Sequence, residues 1–296
     1  MDTSAFGILT SISVPHILEE IFFSLDYVTF KSCMQVNTVW RNLLRSEQYQ
    51  SRAKSKYDEE IERELMMASS TGHLKRVKLI LSIFMVDIDY IGKIPVQTRL
   101  VDTIYTVHQP TFLCQASLGG HIDVVNFLLN KGANPNKTAP LKWATMAGHT
   151  HVVKLLLKRG SNPNKRFQLF GNFGTTSLHT AAYRGYVDVV QLLVDHGSAL
   201  DLEDEHGCSP LFYASLNGHK KVVELLLNEG ASLTISTTGG WAALHAAAWM
   251  GRKDVVKLLL NYGANPKYEN NKGKNALALA SQKGYEDIIM ILAPVS

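Results

Sequence analysis

Eleven histidines and three cysteines are the side chains of this 296-residue chain whose types suit catalysis or metal binding. Their spacing argues against both uses. The cysteines stand far apart, and the closest histidine pair, His149 and His151, lacks both the spacing of ligands on one helix face and a matching cysteine pair. No glycine-rich phosphate loop and no activated serine or cysteine motif is visible. We therefore predict no catalytic residue, no metal and no cofactor, and a protein that is not an enzyme.

Six histidines instead occupy two recurring positions. One group follows a glycine and the other follows a leucine; the members are His73, His121, His149 and His219, then His179 and His245. An imidazole repeated in this way is suited to hydrogen bonding with neighbouring backbone rather than to proton transfer. The histidines thus indicate a scaffold made of similar units.

The scaffold is an internal repeat, seen most clearly at Gly218–Ala231, GHKKVVELLLNEGA. Its leading glycine returns along the chain, at Gly72, Gly120, Gly148, Gly185, Gly218, Gly251 and Gly284. The successive spacings are 48, 28, 37, 33, 33 and 33 residues. A period in this range is typical of stacked-repeat proteins.

Each unit reads as a pair of short helices. In the unit around Gly218, the Ser209-Pro210 pair predicts the start of a first helix, because proline suits the first helical turn. Gly218 ends that helix, and Gly230 ends the more apolar second helix at a position that favours positive φ. A pair this small cannot bury its own apolar face and must stack on its neighbours.

This pattern resembles the ankyrin repeat, D-x-x-G-x-T-P-L-H-x-A-A-x-x-G-H followed by a valine- and leucine-rich helix. The residues in register are Asp204, Gly207, Pro210, Leu211, Gly218 and His219, and Gly174–Ala182 fits as well. The resemblance implies an all-α fold: an ankyrin-repeat solenoid of about seven helix-pair repeats with hairpin tips, over residues 60–296.

The N-terminal part has a different pattern. Residues 1–13 read as a flexible lead-in, and residues 14–59 predict three short helices with more apolar side chains than so small a domain can bury alone. The remaining apolar side chains need another surface to pack against. The first repeat, a long third helix folding back, and a separate protein are the three candidates.

Residues 14–59 resemble an F-box, whose pattern is roughly LPxELLxxIFSYLDxxDLLxLxxVxxxWRxL. The residues that fall on it are Pro15, Leu18, Ile21, Phe22, Leu25, Asp26, Phe30, Cys33, Val36, Trp40, Arg41 and Leu43. The resemblance implies a small three-helix F-box-like domain that binds a Skp-family adaptor through Pro15, Ile17, Leu18, Ile21, Phe22, Leu25, Val36 and Trp40. One residue separates Pro15 from Ile17 where the family usually has two, so a helical cap for the solenoid is the alternative.

Several stretches depart from the regular period. Residues 90–109 are an insertion whose β-branched content predicts an extended hairpin. The connection at residues 136–140 is short, and the one after Lys165 is long and carries Phe167, Phe170 and Phe173. These rings either pack on the neighbouring tip or contact a partner. The last helix is apolar to its end, although a terminal repeat should present a polar outer face.

The partner-binding residues are expected on the concave face, just before the glycine between the two helices, and on the tips. Large or charged side chains at these positions are of the types enriched in binding hot spots. They are Met146, Tyr183, Arg184, Leu216, Trp241, Trp249, Met250 and, on the long connection, Phe170. Packing between repeats is the alternative role, and Trp143 is expected to be buried within its own repeat.

The composition of the chain limits the classes of partner and the cellular locations that we expect. A net charge of +4 without a dense basic block gives no reason to expect nucleic acid, and no apolar run approaches the ~18–20 residues of a membrane span. Scattered cysteines favour a reducing compartment. The location expected is cytoplasmic or nuclear, or the host cytoplasm for a secreted bacterial effector.

These resemblances together imply a substrate-recognition adaptor of a cullin-RING (SCF-type) ubiquitin ligase. The Skp adaptor and the cullin scaffold would be partners, the concave face would hold an unidentified protein substrate, and the chain would be monomeric within the complex. The alternative is an ankyrin-repeat scaffold or inhibitor without a ligase role.

Overall fold

The computed structural model describes residues 61–83, 86–90, 96–100, 103–107, 110–169 and 172–293. Fourteen helices in these ranges form seven consecutive pairs, here called repeats 1 to 7. In chain order they are α1 (61–70) with α2 (Leu74–Ile83), α3 (Phe112–Leu118) with α4 (Ile122–Asn130), α5 (Pro140–Ala147) with α6 (Thr150–Lys158), α7 (Ser177–Arg184) with α8 (Val187–Asp195), α9 (Pro210–Asn217) with α10 (Lys220–Asn228), α11 (Ala243–Trp249) with α12 (Lys253–Asn261), and α13 (Ala276–Lys283) with α14 (Glu286–Leu292). The predicted helix-pair repeats are confirmed, whereas the predicted segments 1–13 and 14–59 lie outside the described residues.

Repeat 5 shows how the sequence produces one pair. The Ser209 hydroxyl accepts a hydrogen bond from the Phe212 N–H at 3.2 Å, and Pro210 occupies the first turn of α9. Gly218 ends the helix at φ 81°, with its N–H bonded to the last carbonyls of α9. Gly230 follows α10 at φ 94°. These are the start and stop signals predicted from the sequence.

The pairs stack into one continuous hydrophobic core. It runs from Ile61 in repeat 1 to Leu292 in repeat 7 and consists mainly of leucine, valine and alanine. Each fully buried leucine contributes roughly 2 kcal/mol relative to an exposed one. Successive first helices lie closer together than successive second helices, so the stack curves toward the first helices.

The same contact joins neighbouring repeats at four of the six junctions. The side chain after the inter-helix glycine reaches back to a carbonyl near the end of the preceding first helix. His219 Nε2 lies 2.9 Å from the Tyr183 oxygen, and Arg252 Nε lies 3.1 Å from the Leu216 oxygen. His121 and His149 make the same contact, with Ser70 and Leu118.

The histidine prediction is confirmed at these positions, with one difference. His73, in repeat 1, instead contacts the Thr71 hydroxyl at 2.6 Å.

The irregular connections follow the sequence predictions where they are described. Strands β1 (Val96–Leu100) and β2 (Thr103–Val107) pair antiparallel, which confirms the inserted hairpin. The long connection forms a second antiparallel pair, β3 (Phe167–Leu169) and β4 (Asn172–Thr175), with an irregularity in its register.

The short connection before α5 reaches that helix by a different route. Thr138 and Ala139 adopt left-handed backbone conformations, at φ 51° and 61°. Non-glycine residues rarely occupy this region, so the short link carries backbone strain that the longer links avoid.

The last helix, α14, is only partly covered. Ile288 and Leu292 are buried in the core, but the Met290 side chain is 75% exposed. Asp287 forms an ion pair with Lys253 at 2.7 Å, which gives the exposed side some polar character. The expectation of an incompletely polar outer face is therefore confirmed at Met290.

Candidate functional site

The surface predicted to bind a partner is formed by the C-terminal ends of the first helices and the tips beside them, here called the inner face. Tyr183 and Met250 are 47% and 40% exposed on it. Arg184, Leu216, Trp241 and Trp249 are half-buried. These six residues are spread over repeats 4, 5 and 6, and four of them belong to two groups, Trp241 with Trp249 and Tyr183 with Arg184.

Met146 differs from its predicted role as an exposed contact. Its side chain is only 7% exposed and packs with Cys114, Leu118 and Trp143. The large neighbouring side chains of repeats 2 and 3 cover this position, so little of it is available to a partner. Trp143 is buried as predicted, but it contacts repeat 2 and not only its own repeat.

The first group on the inner face is built around two tryptophans of repeat 6. The Trp241 and Trp249 rings meet edge to face with centroids 5.7 Å apart. Lys283, from repeat 7, places its ammonium 3.9 Å from the centroid of Trp249. The alternative role predicted for these residues was packing between repeats. It is confirmed in part, because the two rings contact each other but are only half-buried.

The second group lines a pocket of about 240 Å³ between repeats 3, 4 and 5, here called the inner pocket. Its lining side chains are Met146, Thr175, His179, Thr180, Tyr183, Arg184 and Tyr213. Tyr213 forms one wall, since its ring meets Tyr183 and His179 edge to face with centroids 6.0 Å apart in each case. The sequence prediction included Tyr183 and Arg184 but missed Tyr213.

A buried carboxylate holds Tyr213 in place. The Tyr213 hydroxyl donates to Asp204 Oδ2 at 2.6 Å, while Asp204 Oδ1 accepts from the backbone N–H groups of His206 and Cys208. Burial, with the bond to Asp204, raises the pKa of the Tyr213 hydroxyl. Tyr213 therefore stays neutral and rigid, and it acts as a wall rather than as an acid or base.

The histidine in the pocket is a structural residue. His179 Nδ1 accepts the Thr176 N–H at 3.1 Å, and Nε2 lies 3.0 Å from the Cys208 oxygen. Burial lowers the pKa of the His179 imidazole to about 4. With both nitrogens engaged and the ring neutral at pH 7, His179 has no capacity to transfer a proton.

Lys142 is a charged residue that the sequence prediction overlooked. It lies beside the inner pocket, its side chain is 3% exposed, and its ammonium donates to Thr175 Oγ1 at 2.6 Å and to the Thr175 carbonyl oxygen at 3.4 Å. Burial lowers the pKa of Lys142 to about 8. A signal was present in the sequence, because Lys142 occupies the position held by His179 and His245 in other repeats.

The thiols in the described part of the chain are buried and free. Burial raises the pKa of Cys114, and burial next to Asp204 raises the pKa of Cys208 to about 12. Such thiols are poor nucleophiles at neutral pH. The same residue ranges hold no cluster of three or more histidine, cysteine or carboxylate side chains suited to a metal ion, and no helix there has the length and apolar character to cross a bilayer.

Nine of the predicted site residues lie outside the part of the chain that the structure describes. Phe170 lies outside the described residues, as do the eight predicted adaptor-binding residues between Pro15 and Trp40. Phe167, which is described, is half-buried under Lys165, whose ammonium lies 5.0 Å from the ring centroid.

Comparison with known proteins agrees with the helix-pair architecture. A family model described as ankyrin repeats (three copies) matches at residues 65–167, 141–237 and 234–295. The crystal structure of the human ASB11 ankyrin repeat domain is similar at a TM-score of 0.64 and 28% sequence identity, covering 77% of this chain and 96% of that one. A search of curated proteins finds no match.

Proposed function

The chain belongs to the ankyrin repeat family, and from this premise we propose that it is the substrate-recognition adaptor of a cullin-RING ubiquitin ligase. Its repeats form a protein-interaction domain, to which the inner face contributes exposed aromatic and charged side chains. In this proposal the inner face holds the protein to be ubiquitinated, and the chain itself catalyses nothing. It acts in the cytoplasm or nucleus, where cullin-based ligases would meet it.

One observation carries the ligase role: an F-box-like pattern and an ankyrin stack occur in the same chain. The pattern supplies Leu18, Ile21 and Trp40 as apolar anchors for a Skp-family adaptor. Joining an adaptor-binding segment to a substrate-binding stack raises the effective concentration of substrate near the ubiquitin-loaded enzyme. Such tethering needs no catalytic group in this chain.

The test is binding of purified Skp adaptor to the full chain, compared with a Leu18→Ala/Ile21→Ala/Trp40→Ala variant. We expect the wild-type chain to form a complex that survives gel filtration, and the variant to lose it while circular dichroism shows intact repeats. A matched control, Tyr183→Ala/Trp249→Ala, removes two large inner-face side chains and should keep adaptor binding. Failure of the wild-type chain to bind the adaptor would rule out the ligase role.

The second candidate is an ankyrin-repeat scaffold or inhibitor whose N-terminal helices only cap the stack. The long inner face and its two aromatic groups serve equally well for holding a partner without ubiquitin transfer. Under this alternative, the triple variant at residues 18, 21 and 40 and the wild-type chain bind the same inner-face partners, and neither recruits the adaptor.

A further inference from the structure

Within the part of the chain that the structure describes, the ammonium group of Lys142 has no anionic partner. Thr175 supplies both of its hydrogen-bond acceptors, and each is neutral. The ion pairs within the described residues join Arg76 to Glu64 and Lys253 to Asp287, so none reaches Lys142. A buried cation without a counter-ion is costly, and a methionine of similar length would fill the same space without that cost.

Thr175 connects this cation to the inner pocket. Thr175 lines the pocket, and its hydroxyl accepts the short bond from Lys142, so the single proton of this hydroxyl is left to be donated. A ligand oxygen in the pocket would therefore receive a hydrogen bond that is polarised by the lysine behind it. This arrangement favours an anion over a neutral group.

Arg184 provides a second cation at the pocket rim. Its side chain lines the pocket and is half-buried, and no carboxylate of the described residues forms an ion pair with it. Asp204, which bonds to Tyr213, is one acidic group beside these walls, and both of its oxygens already accept hydrogen bonds. Glu205 is another, since its Oε1 would lie 3.7 Å from a Cβ added at Gly174, the neighbour of Thr175. His179 is neutral. Lys142 and Arg184 are thus the cations that a ligand in the pocket would meet, and within the described residues neither of them forms an ion pair.

The sequence on the two sides of the pocket differs in charge. Residues 110–169, which include repeats 2 and 3, contain eight basic residues, namely Lys131, Lys137, Lys142, Lys154, Lys158, Arg159, Lys165 and Arg166, against the single acidic residue Asp123. The mild net charge of the whole chain is therefore not evenly spread along the sequence. Residues 172–230, which include repeats 4 and 5, have the opposite balance, with eight acidic residues against three basic ones. The basic excess therefore belongs to the repeat 3 side of the pocket, and a positive region of this kind steers acidic segments toward it.

We propose that the inner pocket binds the carboxylate of an aspartate or glutamate side chain from the protein that lies along the inner face. The carboxylate accepts from the Thr175 hydroxyl and pairs with Arg184, while the rings of Tyr183 and Tyr213 flank its methylene group. This deepens the proposed function, since it rests on protein binding by the repeats and names the chemistry that the bound segment must present.

The test uses the full chain and an array of twelve-residue peptides in many sequence backgrounds. Each background appears three times, with glutamate, glutamine or phosphoserine at the centre. We expect the glutamate peptides to be retained about tenfold more strongly than their glutamine counterparts, the ratio typical of a charge-assisted pair. Equal retention of the two, or no retention of any glutamate peptide, would overturn the proposal.

Point variants test whether the preference for glutamate peptides arises at the inner pocket. Lys142→Met and Arg184→Gln should each bring the glutamate-to-glutamine ratio close to one. Lys154→Met removes one positive charge from the exposed surface of α6 and should leave the ratio unchanged. Arg184→Gln, a change at the rim, keeps the test valid even if Lys142→Met disturbs folding, which thermal unfolding will show.

Two outcomes would assign the pocket differently. A ratio that falls as far in Lys154→Met as in Lys142→Met would mean that overall charge, not the pocket, selects the peptides. Stronger retention of phosphoserine than of glutamate, lost in Arg184→Gln, would assign the site to a phosphoryl group instead of a carboxylate.

The adaptor experiment fails independently of this one. A chain that shows no adaptor binding but keeps the glutamate preference loses the ligase role and retains the pocket. A chain that binds the adaptor but shows no preference for glutamate loses only the pocket assignment.

Discussion

In repeats 2, 3 and 4, the side chains at one equivalent position make the same contact, although they are a thiol, an ammonium group and an imidazole. Cys114 Sγ lies 3.1 Å from the Thr138 oxygen, Lys142 Nζ lies 3.4 Å from the Thr175 oxygen, and His179 Nε2 lies 3.0 Å from the Cys208 oxygen. In each case the acceptor belongs to the residue just before the first-helix cap of the next repeat. A neutral thiol or imidazole satisfies that carbonyl, so the charge of Lys142 exceeds what the contact requires.

The pH dependence of the free energy of unfolding should reveal the charge of Lys142. The pKa of Lys142 falls from its ordinary 10.5 to about 8 on folding, so between these values the unfolded chain binds the proton more strongly. Stability contributed at this site therefore rises with pH. Relative to Lys142→Met, the wild-type chain should gain about 2 kcal/mol in its free energy of unfolding between about pH 7.5 and pH 9.5, measured by urea denaturation.

The comparison with Lys142→Met matters because other groups oppose the trend. Burial raises the pKa of Cys208 and Tyr213, and groups with raised pKa values lose stability as the pH rises past their ordinary values. Both are present in the wild-type chain and the variant, so the difference isolates the lysine. A difference in unfolding free energy between the wild-type chain and Lys142→Met that stays constant from pH 7.5 to pH 9.5 would mean that Lys142 is not held as a buried cation.

Contacts between neighbouring pairs of helices depend on the glycine that joins the two helices of a repeat. Gly185 has φ 76°, and a Cβ added there would lie 2.5 Å from His219 Nδ1 of the next repeat. Glycine is therefore needed at position 185 for two reasons. The backbone there is left-handed, and the His219 ring occupies the space that a side chain would fill. Gly197, after α8 of the same repeat, has φ 81° but faces open space.

These two glycines form a matched pair for measuring the contact between repeats. Alanine at either position incurs the backbone strain of positive φ, but Gly185→Ala also displaces His219 from its bond to the Tyr183 carbonyl. We expect Gly185→Ala to unfold at lower urea and to be less stable than Gly197→Ala by about 1–2 kcal/mol. In a His219→Ala background the two alanine variants should become equal, and a difference that persists there would place its cause elsewhere.

The sequence predicts these elements well because their signals are local. The Ser209-Pro210 start, the Gly218 stop and the β-branched insertion each act within a few residues, and each appears in the structure as predicted. Side-chain neighbourhoods on the inner face are set instead by residues about one repeat away. For that reason Met146 was predicted to be exposed, although Cys114 and Leu118 of the preceding repeat pack against it.

The same dependence on neighbouring repeats explains why the sequence analysis did not predict Tyr213 and Lys142 as residues at the inner pocket. Tyr213 becomes a wall because Tyr183 and His179 of the preceding repeat lie beside it. Lys142 acquires its lowered pKa from burial under the following repeat, where Thr175 receives its ammonium. Within its own repeat, the only sign of either role is an unusual residue at a recurring position.

The whole molecule behaves as a one-dimensional stack. Extensive contacts join helices within a repeat and between neighbouring repeats, and the core continues through all seven pairs. In such a stack an inner repeat is stabilised from two sides and a terminal repeat from one, so the effect of a mutation depends on where along the stack it lies. Repeat 7, with Met290 exposed on α14, is an end of the described stack.

Two leucines at equivalent positions test this dependence. Leu193 in α8 and Leu292 in α14 are both fully buried, but Leu193 lies in the middle repeat and Leu292 in the last one. Leu193→Ala should lower stability by about 3 kcal/mol and speed amide hydrogen exchange in repeats 3, 4 and 5, because both interfaces of repeat 4 weaken.

Leu292→Ala should speed amide exchange in α13 and α14 while repeats 3 to 5 exchange as in the wild-type chain. Loss of the last pair costs only one interface, so the inner pocket, four repeats away at its far edge, should still discriminate glutamate from glutamine peptides. Exchange that accelerates equally along the whole stack in both variants would show a single cooperative unit. In that case partner binding at the inner face would be coupled to the state of the terminal helix, and exposure of Met290 would matter for every repeat.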